Sequence, residues 1–384
     1  MRSSSFIIFL LVALAIYGLI NFYIVRRGWQ ALSGTGFFRT IMLIFFLLLI
    51  LSFVAGRILI ARLPGPFAEA VALTGNTYLA MMDFLFLFVV LIDFLRVINA
   101  FFPFFPKFIQ HNGRKAALIT FFFVMGSTMI ILLAGAINAA RPRLHKLDIS
   151  IPKPAGKIET LNIVVVSDIH LSPIIRNERL DKIVGQINSL GPDLVLLPGD
   201  IVNEDTSQKE LEEMAVTLRK LRPRFGAFAA TGNHEYFGGI VRNLKYIRQG
   251  NVAVLEDEAV CVANSFYVVG RKDRTSLRPG ERRKPLKEIM DGLDRRLPIL
   301  LLDHQPVSFA ESEENGVDLQ VSGHTHNGQI FPINLINKLV YKVNYGYYRQ
   351  GMTQYYVSSG VGTWGPPIRV GSVPEIVQIR VVFK

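Results

Sequence analysis

The stretch LNIVVVSDIH, residues 161–170, decides how the second half of this chain is read. A nearly continuous apolar, β-branched run enters a short polar group, Asp168-Ile-His170. Such a run marks a strand buried on both faces, because a half-buried strand would alternate with polar residues. NERLDKIVGQINSL (177–190) follows with the spacing of an amphipathic helix. Two more strand–helix pairs come next. DLVLLPGDIV (193–202) precedes QKELEEMAVTLRKL (208–221), and GAFAATGNHE (226–235) precedes GGIVRNLKYIRQG (238–250). Buried strands alternating with amphipathic helices predict parallel strands in βαβ units. Beyond residue 251, NVAVLEDEAVCVANSFYVVG, PILLLDH, VDLQVSG, TQYYVSSG and EIVQIRVVF predict further strands. Two stacked sheets with helices outside are the simplest layout.

Upstream the texture differs. The chain has 384 residues and is 50% hydrophobic, and residues 1 to about 140 hold a disproportionate share of that apolar content. Four segments, about 6–25, 41–61, 77–101 and 116–139, meet the length of about 20 residues that spans a bilayer. The first is too long for a cleavable signal, lacks a small-residue cleavage site and is followed by three more spans. Arg26 and Arg27 follow it and are a flank, not a twin-arginine signal. HKLDISIPKPAGKIET (145–160) is polar with two prolines and reads as a linker or an edge strand. The expected organisation is a membrane domain over 1–145, a linker over 146–157 and a globular domain over 158–384.

Four spans place the N-terminus and the globular domain on one side. The loops after spans one and three carry Arg26, Arg27, Arg39, Lys107, Arg114 and Lys115. The other side carries Arg2, Arg62, Arg141, Arg143 and Lys146 near the spans. By the positive-inside rule this small excess leans toward a globular domain outside the cytoplasm. The net charge of +12 follows the same pattern, with basic residues beside apolar segments facing anionic lipid. No nucleic-acid motif or aromatic-interleaved basic stripe accompanies it. The single cysteine, Cys261, excludes an internal disulfide. Asp83 and Asp93 fall in the third span. Asp93 has Arg96 as a helical partner, and both acids read as packing or interface groups before they read as a proton relay.

The polar residues sit where the strands end. They are Asp168 and His170; Gly199-Asp200; Gly232-Asn233-His234-Glu235; Asp303-His304; and Gly323-His324-Thr325-His326. In open α/β folds chemistry collects past the carboxyl ends of strands. Five of the seven histidines lie in these clusters. Imidazoles mixed with oxygen ligands suit Mn, Fe or Zn. About seven ligands are too many for one ion and suit two, with one carboxylate bridging. Taken singly each residue has a plain alternative: Asp168 as a helix cap, Asn233 as a turn residue, His304 as a core histidine. Five ordered clusters at strand ends by accident are much less probable.

The order DIH, GD, GNHE, DH and GHTH resembles the calcineurin-like metallophosphoesterase superfamily, and within it the membrane-associated bacterial YkuE-like group. The resemblance covers about 158–384, including SSGVGTWGPPIRVGSVPEI (358–376). It implies a four-layer α/β/β/α sandwich and two ions, most often Mn, Fe or Zn. Asp168, His170 and His326 would hold the first ion, Asn233, His304 and His324 the second, and Asp200 would bridge. His234 would stand beside the phosphate as electrostatic stabiliser or general acid. A water between the metals would attack phosphorus in line. Arg369 is expected as a further phosphate contact, with a surface arginine as the alternative. The resemblance is imperfect at two places. Asn203 stands where the family often has the aspartate that orients the catalytic histidine, and Asp205 is the expected substitute. Asn327 replaces a glycine after GHTH.

These features imply a membrane-anchored hydrolase of a phosphate ester, diester or pyrophosphate. INLINKLVYKVNYGYYRQG (333–351) reads either as an apolar lip against a membrane or as a helix-turn packed on the sandwich. The basic run GRKDRTSLRPGERRKPLK (270–287) reads either as a headgroup contact or as solvated surface. Together with the anchor they favour a lipid-linked or cell-envelope substrate. The alternative is a non-catalytic metal-bound domain serving a membrane sensor or transporter. Retention of all seven ligands weighs against it.

Overall fold

The computed structural model describes residues 3–63, 65–276 and 282–384, so Arg2 and part of the basic run lie outside the described residues. The chain divides into two compact units, Met1–Gly135 and Ala136–Lys384.

The first unit is helical. Its long helices are α1 (Ser3–Ala31), α2 (Gly36–Arg62), α3 (Pro66–Phe101) and α5 (Gly113–Ala139), with a short α4 (Lys107–His111) between the last two. All four long helices are long and apolar enough to cross a membrane. Each starts earlier than its apolar core, because helical hydrogen bonding carries on into the polar flanks. This changes the reading of Asp83, which lies midway along α3 and not near an end. One of its carboxylate oxygens is buried without a hydrogen-bond partner among the described residues. Asp93 accepts from Tyr23 and pairs with Arg27 and with Arg96, the latter at 3.0 Å.

The second unit has two six-stranded sheets. Its strands are β1 (Arg143–Ile151), β2 (Thr160–Val165), β3 (Leu194–Pro198), β4 (Ala227–Ala230), β5 (Val252–Val254), β6 (Glu258–Val262), β7 (Phe266–Gly270), β8 (Ile299–Leu302), β9 (Leu319–Ser322), β10 (Gly346–Gln350), β11 (Thr353–Val357) and β12 (Glu375–Phe383). Its helices are α6 (Asn177–Ser189), α7 (Gln208–Leu218), α8 (Asn233–Phe237), α9 (Ile240–Gln249), α10 (Leu286–Ile289), α11 (Phe309–Glu314) and α12 (Ile333–Val340). One sheet runs β1-β12-β2-β3-β4-β5 and the other β10-β11-β9-β8-β7-β6. β2 to β5 are parallel, as are β7, β8, β9 and β11. Residues 143–151 pair in parallel with β12 as an edge strand, one of the two readings their sequence allowed.

Alternation along the strands builds the layers. In β3, Val195 and Leu197 pack under α6, α7 and α9, while Leu194 and Leu196 face the second sheet. In β8, Leu300 and Leu302 join that inter-sheet core, while Ile299 and Leu301 pack under α10. Both faces of each central strand are covered, which explains the unbroken apolar runs. β10 has no such signature, because its residues are only partly buried and alternate with exposed tyrosine and arginine. In the basic run, Arg271 and Arg283 turn inward onto Asp303. Arg271 also reaches Glu311 at 2.7 Å. These two charges of the run therefore serve internal ion pairs.

Candidate metal centre

The polar groups that follow β2, β3, β4, β8 and β9 meet at one end of the two sheets. Asp168, His170 and His326 form one group of converging donor atoms, and Asp200, His304 and His324 form another. Asp200 Oδ2 lies 3.1 Å from His304 Nε2 and 3.7 Å from His170 Nε2, so one carboxylate faces both groups. Asn233, at the start of α8, places Oδ1 3.0 Å from His324 Nδ1.

The backbone is bent to bring these side chains together. Asp168, His170, Asp200, His324 and His326 all have φ between 50° and 71°. Non-glycine residues rarely adopt that region, and each instance costs about 1–3 kcal/mol. Five together where strands end mark a shape held for a purpose other than stability. Two glycines allow the close approach. A Cβ on Gly232 would stand 2.1 Å from Asp200 Oδ1, and one on Gly323 would stand 2.2 Å from Asp168 Oδ2. Asp168 is further held by the His324 amide at 2.9 Å. Asp200 accepts the His234 amide at 2.9 Å. Behind it the buried Glu235 carboxylate accepts the backbone N–H groups of Asp200, Ile201, Val202 and Gly232. Glu235 thereby clamps the loop that carries Asp200 to the start of α8.

The donor set fits two cations. His304 Nδ1 donates to the Pro198 carbonyl at 2.7 Å, leaving the Nε2 lone pair aimed at Asp200 Oδ2. His170 Nδ1 faces Asn203 Oδ1 at 3.2 Å, leaving its Nε2 lone pair 3.0 Å from His326 Nε2. Each of these close pairs needs a proton or a cation between its two atoms. Adjacent ligands of an octahedral ion with bonds of about 2.1 Å stand about 3.0 Å apart. The pairs His170–His326, His304–Asp200 and His324–Asn233 all have this spacing.

Burial sets the charge states. It pushes His170 down to about 3 and His324 down to about 4, the latter helped by the neighbouring His304. His326 falls well below its usual range for the same reason. Neutral imidazoles are what metal ligation needs. Burial pushes Asp168 up to about 6 and Glu235 up to about 7. His304 is the exception among the ligand imidazoles. Burial lowers its pKa, but Asp200 raises it well above its usual range, so without a cation a proton lies between the two. The charges of His304, His170 and His234 in turn outweigh burial and hold the Asp200 carboxyl ionised.

His234 also has a donor atom converging with those of His170 and Asp200, between the two groups. Its Nδ1 meets Glu204 Oε2 at 2.7 Å. Burial lowers its pKa, but the Glu204 hydrogen bond together with the negative charges of Asp200, Glu204 and Glu235 outweighs this and raises it. The orienting carboxylate is therefore Glu204, not the expected Asp205, which instead accepts from Asn203 Nδ2 at 3.0 Å. The physical reason is the turn at 203–205, which aims Asn203 at His170 and leaves the longer Glu204 side chain to reach His234. Nothing in the local sequence distinguishes the two acids. Asn327 ties its amide oxygen to Asn344 Nδ2 at 2.8 Å. Phe237 and Trp364 flank His234 at 5.5 and 5.9 Å between ring centroids, an aromatic wall that sequence reading did not find.

Arg369, expected as a phosphate contact or a surface arginine, is not on the surface. It is 1% exposed, and its guanidinium donates to the carbonyls of Gly360, Gly362 and His326. Its Nη2 lies 3.2 Å from His326 Nδ1. It supports the loop behind the histidine pair and takes no part in the open face of the site.

Residues 161–328 match the calcineurin-like phosphoesterase family. An uncharacterized metallophosphoesterase of Campylobacter jejuni is 31% identical over 99% of both chains. A transmembrane protein with metallophosphoesterase domain from Danio rerio is 30% identical over 66% of this chain and 60% of its own length. The uncharacterized metallophosphoesterase YkuE of Bacillus subtilis is 31% identical over 56% of this chain and 76% of its own.

Proposed function

Starting from the chain's membership of the calcineurin-like metallophosphoesterase family, which makes it a metal-dependent phosphoesterase, we propose that it is a multi-pass membrane hydrolase with a dinuclear centre. The observation that carries this reading is the single Asp200 carboxylate facing both ligand groups. Asp168, His170 and His326 would hold one ion, Asn233, His304 and His324 the other, and Asp200 would be shared between them. Two such ions, when bound, supply an activated water and Lewis-acid stabilisation of phosphoryl oxygens. The protein's own groups do the rest. The strand-end loops fix the ligands before substrate arrives, so little reorganisation opposes the reaction. His234, held by Glu204, keeps a proton on Nε2 for the leaving oxygen. The substrate is a phosphate ester, diester or pyrophosphate, with a lipid-linked or envelope compound favoured by the anchor. Hydrolysis of p-nitrophenyl phosphate, bis-p-nitrophenyl phosphate and a lipid pyrophosphate by full-length protein, before and after chelation, tests this. Turnover that survives complete metal removal would sink it.

Glu204→Gln leaves His234 in place but removes the charge that holds its proton. The expected result is a fall in kcat of roughly 10²-fold for substrates with alkoxide leaving groups. Esters of p-nitrophenol, which leaves without a proton, should be affected little. Equal losses on both would assign Glu204 a purely structural role.

The loop charges favour a catalytic domain outside the cytoplasm. Cys261 is exposed and is the chain's only thiol, so it reports the side directly. A membrane-impermeant maleimide should label it in intact cells. Labelling only after permeabilisation would place the domain inside.

A further inference from the structure

Helix α12 has its polar stripe turned inward and its apolar face turned out. Asn334 and Asn337, three residues apart, are the inward stripe. Asn337 Nδ2 donates to the Thr325 carbonyl at 2.9 Å, between the two histidines of the metal centre. Asn334 packs against Gly328 and the Gly371 carbonyl. Ile333, Leu335, Ile336 and Val340 are about half exposed or more, and Leu339 is 88% exposed. No residue of the helix is buried. A helix on a water-facing surface shows the opposite arrangement. Exposed Phe331 precedes it, Lys338 lies on it, and half-exposed Trp364 stands nearby through Gln329, whose amide bonds the Trp364 backbone.

The same loop that supports α12 also holds the end of the last long apolar helix. Asn138, in the final turn of α5, donates to the carbonyls of Arg369 and Ser372 at 3.0 and 2.9 Å. Between those two residues, the Val370 carbonyl accepts the Phe331 amide at 2.7 Å, at the entrance to α12. One loop of the second unit, residues 369–372, thus holds both Asn138 and the entrance to α12.

We propose that α12, with Phe331 and Trp364, is an interfacial element seated in the lipid bilayer, so that the metal centre takes a phosphoester directly from the membrane surface. Apolar residues on one face, a lysine among them and aromatic residues at the edge are the composition such elements use, and their apolar face sits roughly 5–10 Å into the headgroup boundary. This rests on the reading of the chain as a membrane-spanning phosphoesterase, and it adds which surface meets the lipid and how substrate enters.

The test uses the full-length protein in nanodiscs of phosphatidylethanolamine and phosphatidylglycerol. In a Cys261→Ser background, an environment-sensitive fluorophore is attached at Leu339→Cys or, as control, at Val241→Cys, which is exposed on α9. The Leu339 label should be blue-shifted and quenched by lipids carrying nitroxides near the headgroup, and the Val241 label should be neither. A Leu339 label that stays in water overturns the proposal. A blue shift without lipid quenching also overturns it, since protein, a second copy included, would then cover the helix. This readout needs no turnover, so it stands or falls separately from the enzymatic reading. In a second arm, Ile336→Asn with Leu339→Asn should leave hydrolysis of a water-soluble ester unchanged. Turnover of a bilayer-embedded phosphoester should fall by about tenfold or more, the partitioning lost with buried apolar side chains. Equal activity of this variant on both substrates would also contradict the proposal.

Discussion

Asp200→Asn is expected to lower phosphoester turnover by roughly 10³-fold or more, whichever ester is offered, because in the proposed centre its carboxylate would serve both metal positions. The amide keeps the side-chain volume, and one oxygen still accepts the His234 amide, as Asp200 Oδ1 does at 2.9 Å in the native chain. What is lost is the negative charge between His170 and His304. The variant should stay folded, retain at most one ion tightly and show no substrate for which kcat recovers. Comparison of circular dichroism, metal content and kcat against the parent checks this. A variant that folds, loads two ions and turns over normally would remove Asp200 from the bridging role.

Arg369→Ala is the second large effect, and it falls on stability. The side chain is buried, and its fork satisfies three backbone carbonyls in the loop beside the histidine pair. Each buried carbonyl left without a donor costs about 1–3 kcal/mol, before any cavity is counted. The total is a large share of the 5–15 kcal/mol that typically holds a domain together, so the apparent Tm should fall by several degrees or more. Arg369→Lys should rescue little, since a single ammonium cannot reproduce the planar fork. If Arg369 instead gripped substrate phosphate, the Tm would hold and KM alone would rise.

Arg369 also shows where sequence reading stops. Isoleucine and arginine in PPIR carry no periodic signal, and an arginine after two prolines reads as surface. Only the loop's path, folded back over Gly360 and Gly362, puts the guanidinium inside. Glu204 was invisible for a related reason, because a turn of a few residues decides which of two adjacent acids reaches His234. The strands that build the site were legible, since LNIVVV, LVLLP and ILLL are buried on both faces and leave an unbroken apolar record. So were the polar groups at their ends, because the strand tells where the chain must stop and turn. The four apolar helices were legible from length alone, although their ends were not. The inverted face of α12 was half legible. Its composition was apolar, but only the inward hydrogen bonds of Asn334 and Asn337 show which side faces out.

The central claim is that two ions share Asp200. The most direct measurement loads chelator-stripped, full-length protein with Mn(II) and records both metal content and the electron paramagnetic resonance spectrum. Two ions per chain with an exchange-coupled signal, collapsing to an isolated-ion signal in Asp200→Asn, is the expected result. A single uncoupled ion in the parent protein, or a coupled pair that persists in Asp200→Asn, would contradict the claim.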